Sequence, residues 1–146
     1  MTTRLVIASD HGGLDLKRHL VAWLAARDDI ELTDLGADTP DSVDYPDFAH
    51  ALAERVAGGA ADRGVLVCGT GIGMSLAANR HPGVRAALCT DPYMARMARE
   101  HNDAQVVCLG GRVIGPALAE EILAAFLAGE FGGGRHARRV DKIELA

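Results

Sequence analysis

Cys68 follows the aliphatic run Val65–Val67 and precedes three glycines that alternate with Thr70 and Ile72. From Gly64 to Arg80 the pattern reads as a strand, a glycine turn and the start of an alanine-rich helix. Such a turn gathers unpaired backbone N–H groups beside the positive end of a helix dipole, a setting for a phosphate or an oxyanion. Donors beside a thiol favour the thiolate, which is its reactive form. The competing reading of Cys68 is a small hydrophobe closing a buried strand. Cys89 and Cys108, each inside or at the end of an apolar run, are read that way.

Nucleotide fingerprints fail on the same glycines. G-x-G-x-x-G begun at Gly69 needs glycine where Met74 stands, and begun at Gly71 needs it where Leu76 stands. The P-loop's GK followed by Ser or Thr is absent. Asp10-His11 is either a helix N-cap with a solvated histidine or part of a site. His101-Asn102 is either a dipole partner with a C-cap or a functional pair. Arg135 and Arg139 are four apart, so a helical tail would set them on one face as a clamp for a small anion such as phosphate. The plainer alternative is a solvated basic tail. No CxxC occurs, and His50 and His101 lack HxxxH or HExxH partners, so no metal site is expected.

Apolar runs and amphipathic helices must position these groups. Strands are expected at Arg4–Ser9, Ile30–Leu35, Val65–Cys68, Gly83–Cys89 and Ala104–Leu109. Helices are expected at Leu14–Arg27, Phe48–Ala57, after the glycine turn, from Pro92 to about His101, and at Pro116–Ala128. Ala37–Pro46 reads as a polar loop, and Thr90 or Asp91 as the N-cap before Pro92. The glycine break Gly132–Gly134 leads to the basic tail. Near-continuous apolar strands alternating with helices imply a three-layer, Rossmann-like α/β fold, an open sheet of five parallel strands with a C-terminal helical tail. Ligands of such sheets bind beyond the strands' carboxyl ends, so Asp10-His11, Cys68-Gly69 and Thr90-Asp91 should share one rim.

At 146 residues the chain (1–146) is expected to form one domain. The net charge of −5 argues against a general nucleic-acid binder. No basic leader precedes the first apolar run and no apolar stretch reaches membrane-spanning length, so a cytoplasmic protein is expected. Three cysteines without a spacing pattern do not form a disulfide framework. A non-catalytic nucleotide-binding domain would rest only on fold analogy. A redox protein would rest on Cys68 without a nearby resolving cysteine.

Taken together these residues resemble the type B ribose-5-phosphate isomerase family, which includes the galactose-6-phosphate isomerase subunits. The likeness spans essentially the whole chain. Its markers are Ala8-Ser9-Asp10-His11-Gly12-Gly13, Asp44-Tyr45-Pro46, Cys68-Gly69-Thr70-Gly71-Ile72-Gly73 with Ala77-Ala78-Asn79, Arg99-Glu100-His101-Asn102, Gly111-Arg112-Val113, and Gly134-Arg135-His136 with Arg138-Arg139-Val140. The resemblance implies cofactor-free, metal-free isomerisation of D-ribose 5-phosphate and D-ribulose 5-phosphate through an enediolate, a step of the pentose phosphate pathway. Relatives act on tetrose, allose and galactose phosphates.

On that pattern Cys68 is the base, and His101 opens the furanose ring with Asp10 nearby. The Gly69–Gly73 turn, with Thr70 and Ile72 within it, holds the enediolate together with Asn102. His11, Arg135 and Arg139 hold the phosphate, while Arg112 and Tyr45 line the site. Some members carry a glutamate base where Met74 stands here, which places this chain in the cysteine-using branch. The family is dimeric or tetrameric with sites built from two subunits. The tail, about 132–146, is accordingly expected to pack on a partner of a homo-oligomer, with Arg135 and Arg139 acting across the boundary.

Overall fold

Apolar runs too short and too continuous for amphipathic helices become the strands of a single parallel sheet. The computed structural model describes residues 1–145; Ala146, the last residue of the expected tail, lies outside them. The strands are β1 (Thr3–Ser9), β2 (Ile30–Asp34), β3 (Arg63–Cys68), β4 (Ala86–Leu88) and β5 (Val106–Gly110), in the order β2-β1-β3-β5-β4. The helices are α1 (Leu14–Ala25), α2 (Tyr45–Ala57), α3 (Ile72–Ala78), α4 (Pro92–Glu100), α5 (Pro116–Ala128) and α6 (Arg135–Asp141). The three-layer α/β expectation holds, and so does the helical tail.

Strand alternation divides the core in two. Leu5, Ile7, Val65, Val67 and Leu109 pack under α1, α4 and α5, with Leu20, Leu123 and Phe126. Val6, Ala8, Leu66, Cys68 and Cys108 face α2 and α3, with Leu52 and Met74. Close packing needs glycine where helix meets strand: a Cβ on Gly13 would lie 2.4 Å from the Val67 carbonyl oxygen. Lys17, buried beneath α1, donates to both carboxylate oxygens of Asp34 and to the Ala37 carbonyl at 2.7–2.9 Å. That satisfied ammonium fixes the start of the loop leading to Tyr45.

Two boundaries differ markedly from expectation for local reasons. Tyr45 and Pro46, expected in the polar loop, open α2, since proline is tolerated in a first helical turn. The run Gly83–Cys89 yields only the three-residue β4, because Gly83 turns at φ 82° and Asn79 takes the outer edge of the strand. The Asn79 side chain donates to the Ala86 carbonyl at 2.9 Å and accepts the Ala86 N–H at 2.8 Å, closing an exposed sheet edge. Between Thr90 and Asp91, the N-cap is Asp91, whose carboxylate accepts the Met94 N–H at 2.9 Å. Among the described residues, no helix is long and apolar enough to cross a membrane.

Candidate active site

Register sets Cys68 beside Gly110 at the carboxyl ends of the central strands, and the chain must turn there to start α3. Gly71 makes that turn at φ 84°, a left-handed conformation that costs an L side chain about 1–2 kcal/mol. The turn aims the Gly71 N–H at Cys68 Sγ, 3.1 Å away. The Ile72 N–H is taken by Thr70 Oγ1 at 3.2 Å. The N–H groups of Gly69, Thr70 and Gly73 have no acceptor among the described residues, so they remain available to an oxyanion. A buried thiol thus borders an open anion turn.

The surrounding groups complete a cleft of about 370 Å³ lined by Asp10, Tyr45, Cys68, Gly69, Thr70, Ile72, Gly73 and Leu76. Asp10 caps the 3-10 turn His11–Gly13, accepting the Gly13 N–H at 3.0 Å, and lines the cleft as well. Asp10 is thus both the cap of this turn and part of the cleft wall. His11 Nδ1 accepts the Val43 N–H at 3.2 Å, so a neutral ring carries its proton on Nε2. The Arg112 guanidinium lies across the turn: a Cβ on Gly69 would meet its Nη1 at 3.3 Å, and one on Gly12 its Nη2 at 3.5 Å. Tyr45 lies flat on Gly73, where an added Cβ would come within 2.5 Å of the ring. Met74 is fully buried in the core, away from this opening.

His101, Asn102, Arg135 and Arg139 do not join this cleft. α4 leaves the carboxyl rim at Pro92 and its nine residues carry the chain about 13 Å back along the sheet. His101 and Asn102 end it on the opposite rim, just before β5 begins. Arg85 locks that corner, its Nε donating to the carbonyls of Asn102 and Asp103 at 3.0 Å. Arg99 adds a bond from Nη1 to Asp103 Oδ1 at 3.0 Å. The tail stays on the same rim: the Gly132 N–H donates to the Glu100 carbonyl at 2.9 Å, and the Gly83 N–H to Glu144 Oε1 at 2.8 Å.

His101 there stacks on His136, which neighbours Arg135. Each chain therefore carries two clusters of candidate residues on opposite rims. The fold sets His101 and Asn102 on the same rim as the tail that carries the arginines, with His136 beside them.

The thiols not used here are held protonated. Burial, reinforced by Asp91, pushes Cys89 up to about 11. Complete burial likewise raises Cys108. Among the described residues, no group of three or more His, Cys, Asp or Glu side chains could hold a metal ion.

An open parallel sheet bearing a thiol, an anion turn and a separate arginine–histidine cluster defines a class of small-anion enzymes rather than dinucleotide binders. The family pattern described as Ribose/Galactose Isomerase matches residues 5–143. The chain is 44% identical to ribose-5-phosphate isomerase B of Escherichia coli over 96% of its length and 93% of that protein. It is 46% identical to D-erythrulose-4-phosphate isomerase of Pectobacterium atrosepticum over 95% of its length and 91% of that protein. The solved ribose-5-phosphate isomerase B of Clostridium thermocellum superposes with a TM-score of 0.94 at 54% identity, over 96% of this chain and 94% of that one. The chain belongs to the ribose/galactose isomerase family. It is an enzyme, an aldose–ketose isomerase of a phosphorylated sugar.

Proposed function

We propose that the chain interconverts D-ribose 5-phosphate and D-ribulose 5-phosphate, using Cys68 as its base in sites shared between two copies. The Gly71 N–H directed at Cys68 Sγ carries the reading, because it joins the thiol to the oxyanion turn in one cleft. In the open-chain aldose the thiolate removes the C2 proton. The electron pair moves into the C1–C2 double bond, and charge develops on the carbonyl oxygen. The free N–H groups of the turn face that oxygen at no reorganisation cost, the largest single aid expected for such a step. The proton of the C2 hydroxyl passes to O1, and return of the proton from sulfur to C1 then gives the ketose and regenerates the thiolate.

The phosphate is held at the far end by His11 with Arg135 and Arg139, fixing the reacting carbons for transfer. His101 opens the furanose ring with Asp10 beside it. Asn102 assists the turn, while Arg112 and Tyr45 line the walls. Since these groups occupy two rims, a partner subunit supplies His101, Asn102, Arg135 and Arg139. Ile72 and Leu76 on α3, with Tyr93 and Met94 in the first turn of α4, are exposed apolar side chains that suit a second copy.

Ketose formation from ribose 5-phosphate by wild type and Cys68→Ala tests the assignment. Loss of about 10³-fold or more in kcat is expected on removing the base. Full turnover in the variant would show that another group takes the proton. The likeness to D-erythrulose-4-phosphate isomerase favours a tetrose 4-phosphate as the second substrate reading. Allose and galactose 6-phosphates extend the same series. Specificity constants across four-, five- and six-carbon phosphates rank these substrates.

A further inference from the structure

The glycine break before the tail builds a contact that the proposed chemistry leaves unexplained. Gly133 and Gly134 hold φ of 61° and 54°, so the chain reverses where a side chain would be strained. The His136 N–H donates to the Gly133 carbonyl at 3.0 Å, and the reversal sets α6 back on the end of α4. A Cβ on Gly132 would already approach the Glu100 carbonyl oxygen at 3.3 Å and His136 Cδ2 at 3.6 Å.

The result is a flat stack: the rings of His101 and His136 lie with centroids 4.2 Å apart and planes 12° from parallel. Side-chain hydrogen bonds of histidine in the chain belong to His11, His19, His50 and His81, so none orients the His101 ring among the described residues. A reacting imidazole is ordinarily held by a hydrogen bond on its second nitrogen. Here the facing ring is what holds it.

We propose that His136 is a positioning residue for His101, its imidazole stacked flat on that ring and fixing its plane beside the phosphate arginines. The inference rests on the reading of His101 as the group that opens the sugar ring. The charged groups around the stack are Glu100 and Glu130, which line the cavity beside it, and Arg135 and Arg139 on α6. Burial, together with His101 and the two arginines, holds His136 below the ordinary histidine value. His136 is then a neutral platform at neutral pH.

Kinetics on ribose 5-phosphate with H136A, H136F and H101A, joined to imidazole NMR of the full chain, test the stack. H136A should lower kcat on the order of tenfold through misplacement of His101, with KM nearly unchanged. H136F, which keeps a flat ring without a titrating nitrogen, should recover most of that loss. The His101 Cε1–H resonance, shielded by the facing ring, should move downfield in H136A and stay shielded in H136F.

An H136F variant as slow as H136A, a rise in KM at wild-type kcat, or an unmoved His101 resonance in H136A would each overturn the proposal. Wild-type kcat in H101A would overturn the ring-opening assignment and, with it, the need to position that ring. The resonance shift is read independently of turnover, which tells the two failures apart.

Discussion

Cys89 follows an edge strand much as Cys68 ends a central one, but among the described residues no N–H reaches its sulfur, and it lies buried beside Asp91. Its thiol is pushed up from 9.0 to about 11. The folded state therefore keeps a proton that the unfolded chain releases earlier. A raised folded value contributes stability that is complete below about pH 9 and lost as pH climbs towards 11, about 2–3 kcal/mol for a shift of about two units. Cys89→Ala should consequently lose less stability than wild type between about pH 8 and about pH 11 in paired urea unfolding, with Cys108 contributing to both proteins alike. Equal losses would show that Cys89 titrates normally in the fold. The core role of Cys89 and Cys108 is legible in their apolar runs, and so is the donor-rich setting of Cys68, because a turn that follows a strand end points its first N–H groups back at that residue. The dual role of Asp10 is not legible, since capping and cleft lining ask for the same side chain at the same place.

The glycine turn is the element on which the cleft depends, and its glycines differ in what they prevent. At Gly71 a Cβ would be strained by φ 84° and would also lie 2.6 Å from Leu88 Cδ1 and 3.1 Å from the Leu109 carbonyl carbon. Gly59 has a similar φ of 78° but open space around it. Gly59→Ala should thus cost only the backbone strain, about 1–2 kcal/mol, while Gly71→Ala adds overpacking and should cost about 2–4 kcal/mol in urea unfolding. Gly71→Ala should also reduce kcat sharply below its melting range, because the N–H that faces Cys68 is displaced. Similar unfolding costs at both positions, with kcat retained, would show that the turn yields without harm. Strand–turn–helix order, sheet type and the helical tail can be read from periodicity and glycine placement. The shortness of β4 cannot, for it depends on Asn79 pairing with Ala86 from outside the sheet. The start of α2 at Tyr45 is likewise hidden, because Pro46 signals a loop as readily as a first helical turn.

At the scale of the molecule, the decisive fact is that a helix antiparallel to its sheet cannot end where it began. α4 starts beside the Cys68 rim and delivers His101 to the other, where the tail arrives after α5. Local sequence shows each motif but not the rim it occupies; only the path of the chain decides that. In the proposed shared-site arrangement a second copy related by a twofold axis would bring one protomer's thiol rim to its partner's arginine rim, and by symmetry would create two such sites. Mixing inactive Cys68→Ala with inactive Arg135→Ala protein discriminates this from a site within one chain. In a hybrid dimer one site would combine both lesions, while the other would pair an intact thiol with intact arginines. Random exchange makes about half of the dimers hybrid, each with one of two sites restored, so activity should return to about a quarter of wild type. A site contained in one chain predicts no recovery, because every chain then carries a lesion in its own site. The readout is ketose formation after subunit exchange verified by native mass spectrometry, and inactivity of proven hybrids would remove the shared-site arrangement.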